Sequence, residues 1–484
     1  MQEQDKIYSS RFQRTGKFIQ TGAKVGRNYL KHFSKKLVTG EDDQNSLNES
    51  NASDIYDALS NLKGSALKVA QMMSMDQGLL PEAFSSKFAQ AQYSAPPLSY
   101  PLVIKTFRQY FEEGPGALFD EFSKKSVAAA SIGQVHQASK DGKKLAVKIQ
   151  YPGVANSIES DLRIVRPIVG AMFNVSQSEL SHYLSEVNDR LIEETDYQLE
   201  LERSQEISAA CADIKGLVFP KYYPEFSAER ILTMDWLEGQ HLNEFLATNP
   251  SQEVRNKIGQ IIWDFYDHQI HTLKQVHADP HPGNFLFRED GTVGVIDFGC
   301  VKVFPQAFYE RYFHLMKPAI SDDDAEFTAL LNELSFLLKS DKTHEVEHFK
   351  AVYKDVLELL GRPFFSPEFD FADKAYFDEI YSLSDVYQND KLLRNAKAAR
   401  GPKDAIYLNR TYFGLYSILH LLKAKVTTHS KVNGLFKKAS WTTPGGRTLQ
   451  RVWHIWNFFS QPQYFWYSVR FSAPWGKALS LLTP

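Results

Sequence analysis

The pattern of apolar and polar positions divides the chain into helical stretches toward both ends and a middle region that mixes short strands with helices. Residues 55–94 carry apolar side chains at the three- and four-residue spacing of helices, interrupted at Leu80-Pro81. Short apolar runs bounded by turn residues, the pattern of strands, lie between residues 121 and 150 and again before Gly299. Beyond that glycine the sequence is helical and aromatic. The pattern therefore predicts an α+β chain with helical extensions at both ends.

The most distinctive strand-like stretch is HADPHPGNFLFREDGTVGVIDFG, residues 277–299. Its apolar runs NFLF and TVGVID flank the letters REDG, in which Asp290-Gly291 is a preferred centre for a two-residue hairpin turn. Counting back along both strands from such a turn places Asn284 opposite Asp297. The sequence therefore predicts a hairpin whose open end carries an amide and a carboxylate.

These polar residues suit phosphoryl transfer. Asn284 and Asp297 offer the hard oxygen ligands that Mg²⁺ prefers beside phosphate oxygens and water. Asp279 enters the hairpin where it could orient a nucleophile or accept its proton. A catalytic Asp, an Asn shortly after it, a hairpin and Asp-Phe-Gly stand in the order that such a site requires. The alternative is structural, with Asn284 and Asp297 capping strand ends and Asp279 serving an Asx-Pro turn.

His277 and His281 raise another alternative, a zinc hydrolase, because two histidines four residues apart on a helix share one face. Pro280 and Pro282 argue against a helix here, since proline removes a backbone donor and disfavours the helical conformation of the residue before it. Metal analysis of the purified protein distinguishes this alternative.

Composition narrows the class of protein. A chain of 484 residues, 43% hydrophobic and 23% charged, is long enough for two lobes with cores of their own. The net charge of -3 gives no reason to expect a nucleic-acid partner. With only Cys211 and Cys300 present, no disulfide framework is expected and a reducing compartment is the default. No uninterrupted apolar run approaches the roughly 18 residues of a transmembrane helix.

The words HADPHPGN and DFG together resemble the UbiB/AarF family of atypical protein-kinase-like proteins. Members of that family in bacteria and mitochondria are associated with ubiquinone biosynthesis. The resemblance covers roughly residues 55–435. It implies a two-lobed protein-kinase-like fold with helical N-terminal and C-terminal extensions, and it assigns Asp279 to the catalytic loop and Asn284 and Asp297 to the metal.

The stretch SVAAASIGQVHQASKDGKKLAVKIQY adds a lysine on a strand. Two strand-like runs flank a turn at Asp141-Gly142, and Lys148 alternates with Val147 and Ile149, so its side chain lies on the opposite face. A protein kinase has the same strand lysine, which reaches the nucleotide phosphates and a helix glutamate. The loop before it resembles the alanine-rich loop of the family and argues against ordinary protein-kinase activity. The loop residues assigned to nucleotide binding are Ala128, Ala129, Ala130, Ser131 and Gly133.

The partner of Lys148 is expected on a later helix. Residues 179–211 have helical period without Pro or Gly, which predicts one continuous helix. The motif ETDYQLE within this stretch matches the family pattern ExDYxxE. The resemblance assigns Glu200 to the salt bridge with Lys148, and Glu194 and Asp196 to an acidic pair associated with the lysine of the KxGQ motif.

Two further motifs complete the resemblance. The word KVAQ resembles KxGQ with an alanine in place of the glycine, so Lys68 and Gln71 carry over as regulatory residues. In this family that helical extension folds over the active site, where a protein kinase would admit a peptide. Met234 and Trp236 lie in a segment that resembles the hinge, which holds adenine by backbone hydrogen bonds.

Both ends of the chain carry features of membrane-associated proteins. The first forty residues read as a basic amphipathic helix, which lies on an anionic membrane or packs on its own domain. The tail rich in Trp, Tyr and Phe after Trp441 suits either a membrane interface or a helix docked on the C-lobe. The segment GEDDQNSLNESNASD reads as a flexible linker. We expect a cytoplasmic protein, peripheral on the inner membrane.

The expected organisation is a basic amphipathic helix (1–39), a flexible linker (40–54), a helical N-terminal extension (55–120), a kinase-like N-lobe with a helical insertion (121–233), a C-lobe (234–435) and an aromatic-rich tail (436–484). The expected cofactors are ATP or ADP and Mg²⁺. The resemblance implies an ATPase or phosphotransferase that supports isoprenoid quinone synthesis, with a lipid or quinone precursor, the membrane surface and quinone-synthesis enzymes as partners. The alternatives are a nucleotide-sensing pseudokinase that scaffolds a membrane complex, and a kinase of a small molecule or lipid.

Overall fold

The computed structural model describes residues 44–62, 99–129, 132–172, 177–388 and 400–428, with single positions at 24, 27, 28, 31, 32, 390 and 392. Several predicted features lie outside these residues. They are Lys68, Gln71, Ala130, Ser131, most of the basic amphipathic helix at 1–39 and the tail at 436–484.

The described chain contains both strands and helices. The strands are β1 (Glu121–Phe122), β2 (Ala128–Ala129), β3 (Gly133–Lys140), β4 (Lys143–Gln150), β5 (Leu217–Val218), β6 (Ile231–Asp235), β7 (Gln275–His277), β8 (Phe285–Phe287), β9 (Val293–Val295), β10 (Val301–Val303), β11 (Glu368–Asp370) and β12 (Lys425–Thr427). The helices are α1 (Gln44–Leu62), α2 (Tyr100–Phe111), α3 (Pro115–Leu118), α4 (Val154–Met172), α5 (Gln177–Glu194), α6 (Tyr197–Ala210), α7 (Leu242–Ala247), α8 (Gln252–His268), α9 (Gln306–Leu315), α10 (Pro318–Asp322), α11 (Asp324–Glu333), α12 (Thr343–Gly361), α13 (Lys374–Gln388) and α14 (Lys403–Leu422). The predicted α+β fold class is confirmed.

An antiparallel sheet of five strands, ordered β1-β3-β4-β6 with β2 added beside β3, forms the N-terminal lobe. Its central hairpin turns at Asp141-Gly142, where both residues have positive φ, 50° and 73°. Positive φ at both positions is the two-residue turn whose twist matches that of the strands. Val147 and Ile149 of β4 are fully buried and pack in a cluster with Phe107 of α2. The predicted hairpin is present, and one face of β4 is apolar.

The C-terminal lobe is organised around α8, whose Trp263, Phe265 and Tyr266 are buried in a large aromatic core. Helix α14 packs against α8, and a β-carbon on Gly259 would lie 3.3 Å from Leu419. Three small sheets of the described chain contribute buried side chains to this core. One pairs β8 with β9 and adds β5 in parallel, the second pairs β7 with β10, and the third pairs β11 with β12.

The segment after the Asp-Phe-Gly sequence is short. Strand β10 follows Gly299 almost directly and α9 begins at Gln306. A three-residue strand and a short connection are therefore all that separate the Asp-Phe-Gly sequence from the next helix of the C-lobe.

The predicted flexible linker at 40–54 is wrong over residues 44–54, which belong to α1. Leu47, Ala52 and Ile55 of α1 are buried, and the amide of Asn28 bonds Asp54 at 2.8 Å. Apolar residues recur on one face of this helix, and that face can be buried even though the composition is polar and lacks aromatic residues.

The single helix predicted over residues 179–211 is two helices. Helix α5 ends at Glu194 and α6 begins at Tyr197. The side chain of Asp196 accepts hydrogen bonds from the backbone N–H groups of Gln198 and Leu199, which makes it the N-cap of α6. Asp196 therefore precedes the helix that carries Glu200.

Candidate active site

Lys148 lies at the centre of a charged cluster between the two lobes. Its side chain leaves β4 on the face opposite Val147 and Ile149. The ammonium Nζ lies 2.8 Å from Glu200 Oε1 and 3.0 Å from Oε2, and 3.1 Å from Asp297 Oδ2. The structure therefore joins three residues that are far apart in sequence, and the expected contact between Lys148 and Glu200 is present.

The two carboxylates differ in exposure. The side chain of Glu200 is 2% exposed, whereas that of Asp297 is 35% exposed. Glu200 sits in the first turn of α6, whose start is fixed by the Asp196 cap. Glu200 can therefore only anchor the lysine, while Asp297 is open to a ligand.

The charges of the cluster follow from burial and contact. Burial raises the pKa of the Glu200 carboxyl to about 7, although the Lys148 ammonium opposes the shift. Burial also acts against the charge of Asp297, but Lys148 and the Gly299 N–H outweigh it, so the pKa of Asp297 is lowered. The same two carboxylates overcome burial at Lys148 and hold its pKa well above its usual value. At neutral pH the lysine and Asp297 are charged, and Asp297 is the carboxylate suited to a cation.

Tyr197 is a site residue that the sequence reasoning missed. As the first residue of α6 it is fully buried, with Lys148 Nζ 5.0 Å from the centre of its ring. A β-carbon on Gly133 would lie 2.8 Å from the Tyr197 hydroxyl and 2.8 Å from Ile149 O. The available signal was the Tyr in ETDY, which directly follows the cap of the helix that bears Glu200.

The predicted nucleotide loop is partly a strand. Ala128 and Ala129 form β2 and pair with Val135 and Gln134 of β3. Gly133 is the first residue of β3 and is paired with Gln150. Its missing β-carbon serves the close approach of Tyr197 and β4, a packing reason distinct from the phosphate contact expected of it.

The register expected for the second hairpin is wrong by one residue. Phe287 pairs with Val293, and the Ile296 N–H donates to Asn284 O at 3.1 Å, so Ile296 lies opposite Asn284 in place of Asp297. The loop has three residues and ends with Gly291 at φ 76°. A three-residue loop with a left-handed glycine adds one residue to one strand, which the two-residue turn does not.

Asp279 and Asn284 are nevertheless held together. The Asn284 side-chain amide donates to Asp279 O at 2.9 Å and to Asp279 Oδ2 at 3.3 Å. The His281 N–H donates to Asp279 O at 2.7 Å, and the Asn284 N–H donates to His281 O at 3.0 Å. These bonds make residues 279–284 a compact loop and turn the amide oxygen of Asn284 away from Asp279.

The donor set fits a hard cation. The amide oxygen of Asn284 and the charged, accessible carboxylate of Asp297 are the ligand types that Mg²⁺ takes. The zinc alternative finds no such support. Among the described residues no group of three or more His, Cys, Asp or Glu is placed to hold a metal, and His281 Nδ1 accepts the Gly283 N–H at 3.0 Å.

The structure locates the residues predicted for the hinge and one residue of the predicted acidic pair. Met234 lies within β6, paired with Ala146, and the Trp236 N–H donates to Lys144 O at 3.0 Å. That N–H is therefore committed to the sheet and does not face an adenine. Glu194 ends α5, and its expected association with Lys68 concerns a residue outside the described chain.

Comparison with known proteins is consistent with this geometry. The model of the ABC1 atypical kinase-like domain matches residues 90–331, half of the chain. The chain is 28% identical over 387 residues to the mitochondrial atypical kinase COQ8 of Saccharomyces cerevisiae, covering 78% of this chain and 75% of that protein. It is 27% identical over 432 residues to mitochondrial COQ8B of Danio rerio, covering 87% and 67%.

A solved structure has the same fold. Rv3197 of Mycobacterium tuberculosis, solved in complex with erythromycin, superposes with a TM-score of 0.55 at 25% identity, over 81% of this chain and 97% of that one. The predicted resemblance is confirmed. The lysine, the buried glutamate and the Asp-Phe-Gly aspartate meet as a kinase-like site requires, and the chain belongs to the ABC1 atypical kinase-like family, with COQ8, UbiB and AarF proteins among its relatives.

Proposed function

We propose that this protein binds ATP or ADP with Mg²⁺ and slowly hydrolyses ATP or transfers its terminal phosphoryl group, in support of isoprenoid quinone synthesis. The single observation that carries the proposal is the contact of Lys148 with both Glu200 and Asp297, 2.8 Å and 3.1 Å away. A buried lysine between a helix glutamate and an Asp-Phe-Gly aspartate is the arrangement that phosphoryl-transfer sites use to hold phosphates.

Each residue then has a role. Lys148 binds the phosphates, Glu200 fixes the lysine, and Asp279 orients the group that attacks the terminal phosphorus. Asp297 and Asn284 would hold Mg²⁺, which when bound neutralises charge on the phosphate oxygens. Ala128, with its neighbours in the alanine-rich segment, would cover the phosphates.

A specific observation favours the second candidate, a nucleotide-sensing pseudokinase that scaffolds a membrane complex. Both oxygens of Asp297 are engaged, Oδ2 by Lys148 at 3.1 Å and Oδ1 by the Gly299 N–H at 2.8 Å. Each oxygen therefore already accepts one hydrogen bond, which leaves Asp297 less lone-pair capacity for a cation. Steady-state phosphate release by the wild-type protein above that of Asp279→Asn would rule this candidate out.

The proposed acceptor is water, an isoprenoid lipid or a quinone precursor, and the proposed location is cytoplasmic and peripheral on the inner membrane. The COQ8 relatives are named as mitochondrial atypical kinases, so the compartment of those proteins is the mitochondrion. Within the described residues, no helix is long and apolar enough to span a bilayer. The proposed protein partners are enzymes of quinone synthesis.

Thermal unfolding with and without nucleotide tests the proposal. A ligand at about a hundred times its dissociation constant stabilises by roughly 2.7 kcal/mol, or roughly 5 to 10 °C for lobes of this size. We expect a shift of the midpoint with ADP that grows with Mg²⁺ in the wild-type protein and loses its Mg²⁺ dependence in Asp297→Asn. Asp213→Asn, an exposed Asp to Asn change, is the matched control.

No midpoint shift with either nucleotide would contradict the proposal. A shift that Asp297→Asn retains in full, Mg²⁺ dependence included, would remove the metal assignment alone.

A further inference from the structure

Helix α14 runs along the segments that carry the site, although it lies beyond residues 90–331, the part matched by the family model. Asp404, Tyr407, Thr411 and Gly414 recur at spacings of three, four and three, so they form one stripe on the helix. The two ends of the stripe contact different parts of the site, and Thr411 between them is fully buried.

The first contact fixes the strand that follows Asp-Phe-Gly. Lys302 of β10 forms an ion pair with Asp404, 2.7 Å from Nζ to Oδ1, and its Nζ lies 5.1 Å from the centre of the Tyr407 ring. The side chains of Lys302 and Asp404 are 29% and 18% exposed, so the pair is partly shielded from solvent. This contact ties α14 to the strand two residues beyond Gly299.

The second contact reaches the catalytic loop. A β-carbon on Gly414 would lie 2.9 Å from the backbone oxygen of Pro280 and closer still to Pro280 Cγ. Pro280 directly follows Asp279. Glycine in a helix interior is intrinsically unfavourable relative to alanine, and here its missing β-carbon is what lets the helix backbone meet the loop.

The two contacted segments are also joined to each other. The Ala278 N–H donates to Cys300 O at 2.9 Å, and His277 pairs with Val301. Helix α14 therefore spans a unit made of the catalytic loop and the strand after Asp-Phe-Gly. Between that sequence and α9 the chain forms only the short β10, and the distant helix α14 supports this strand.

We propose that α14 is a positioning element of the active site, in which Gly414 sets the place of the Asp279 loop and Asp404 sets the place of β10. Its catalytic consequence rests on the proposed function. Its structural consequence, a loop held in place by a helix outside the family domain, is independent of the proposed function.

The test compares Gly414→Ala with Ser417→Ala in the full chain. Ser417 is exposed on the same helix and its substitution also increases helix propensity, so it is the matched control. Hydrogen exchange is measured on peptides that cover residues 275–287, with the β3–β4 hairpin as internal reference. Nucleotide affinity and the rate of phosphate release are measured on the same samples.

We expect Gly414→Ala to speed exchange of residues 278–284 while the reference hairpin is unchanged. We also expect kcat to fall by roughly tenfold or more with the Kd for Mg-ADP within about twofold, since a displacement near 1 Å at a reacting group has effects of this size. Ser417→Ala should match the wild type in every readout.

A folded Gly414→Ala protein with wild-type exchange in residues 278–284 overturns the proposal, whatever its activity. If the wild-type protein shows no phosphate release, the proposed turnover fails, and the exchange result still decides the role of α14. If Gly414→Ala does not fold, Asp404→Asn decides. Faster exchange of β10 in that variant supports the proposal, and unchanged exchange overturns it.

Discussion

Two hairpins of this protein have the same dipeptide in their turns and differ in register. The β3–β4 hairpin turns at Asp141-Gly142, with both φ values positive. The β8–β9 hairpin contains Asp290-Gly291, but only the glycine is in the left-handed region, at φ 76°. The first is a two-residue loop and the second a three-residue loop.

The difference matters because each hairpin delivers part of the active site. The first carries Lys148, whose face depends only on alternation along β4. The second leads from Asn284 to Asp297, whose relation depends on loop length. Asp-Gly therefore predicts that a hairpin forms, while the Asp φ value decides which residues face each other.

The largest expected effect comes from removing Lys148, the active-site residue that the first hairpin carries. Lys148→Met leaves Glu200 and Asp297 without their cation, and breaking a buried ion pair costs roughly 3 to 5 kcal/mol. We expect a lower midpoint of unfolding and no response to Mg-ADP. Lys144→Met is the control on the same strand, because its ion pair with Glu238 is exposed and worth less than about 1 kcal/mol.

A retained Mg-ADP response in Lys148→Met would mean that the phosphates bind elsewhere. Differential scanning fluorimetry with nucleotide titration measures both variants.

A glycine-to-alanine change should lower the stability by different amounts at the base and at the turn of the β3–β4 hairpin. In Gly133→Ala the new β-carbon meets a backbone oxygen, Ile149 O, at 2.8 Å, whereas at Gly142 it meets nothing within 4 Å. We expect Gly133→Ala to cost about 2 to 3 kcal/mol through overpacking. Gly142→Ala should cost about 1 kcal/mol, for the left-handed backbone alone. Urea denaturation measures both, and equal losses would contradict the packing role of Gly133.

The sequence predicted those parts of the site that depend on local pattern. Strand alternation predicted the face of β4 on which Lys148 lies. A motif within a predicted helix, ETDYQLE, predicted its contact with Glu200. The break at Asp196 was missed because an Asp within a helical run is compatible with both a helix interior and a cap, and only the backbone conformation decides between them.

Contacts between distant segments could not be predicted. Tyr197 reaches Gly133, and Gly414 reaches Pro280, across 64 and 134 positions of the chain. In each pair the glycine is required because another element comes close, and a single sequence does not say which element that is. The order of motifs was enough to predict the fold class. These close contacts between distant segments are seen only in the folded structure.

A smaller effect is expected at the tip of the second hairpin. A β-carbon on Gly291 would meet the flexible end of Lys257, with Cδ at 2.8 Å, so the side chain can move aside. Gly291→Ala should then cost about 1 kcal/mol, close to Gly142→Ala, because both glycines hold a similar positive φ. A loss of several kcal/mol, seen by urea denaturation, would mean that the Lys257 contact with the loop is essential.

The smallest effect is expected from shortening the second loop to match the first. Deleting Glu289 leaves Asp290-Gly291 as a two-residue turn between Arg288 and Thr292, which already pair through the Arg288 N–H and Thr292 O at 3.2 Å. The register of β8 and β9 is unchanged, so Ile296 stays opposite Asn284. We expect a change in stability below about 1 kcal/mol, because Asp tolerates the positive φ that the new turn demands.

Nucleotide response is the sharper readout of this deletion. Since neither strand shifts, Asn284 and Asp297 keep their positions and the Mg-ADP shift of the unfolding midpoint should equal that of the wild type. The matched deletion of Asp141 leaves one residue to close the first hairpin, so it must open the ladder that holds Lys148 and weaken the same response. If the Glu289 deletion also abolished the response, loop length would control the placement of Asp297, and the three-residue loop would be part of the metal site.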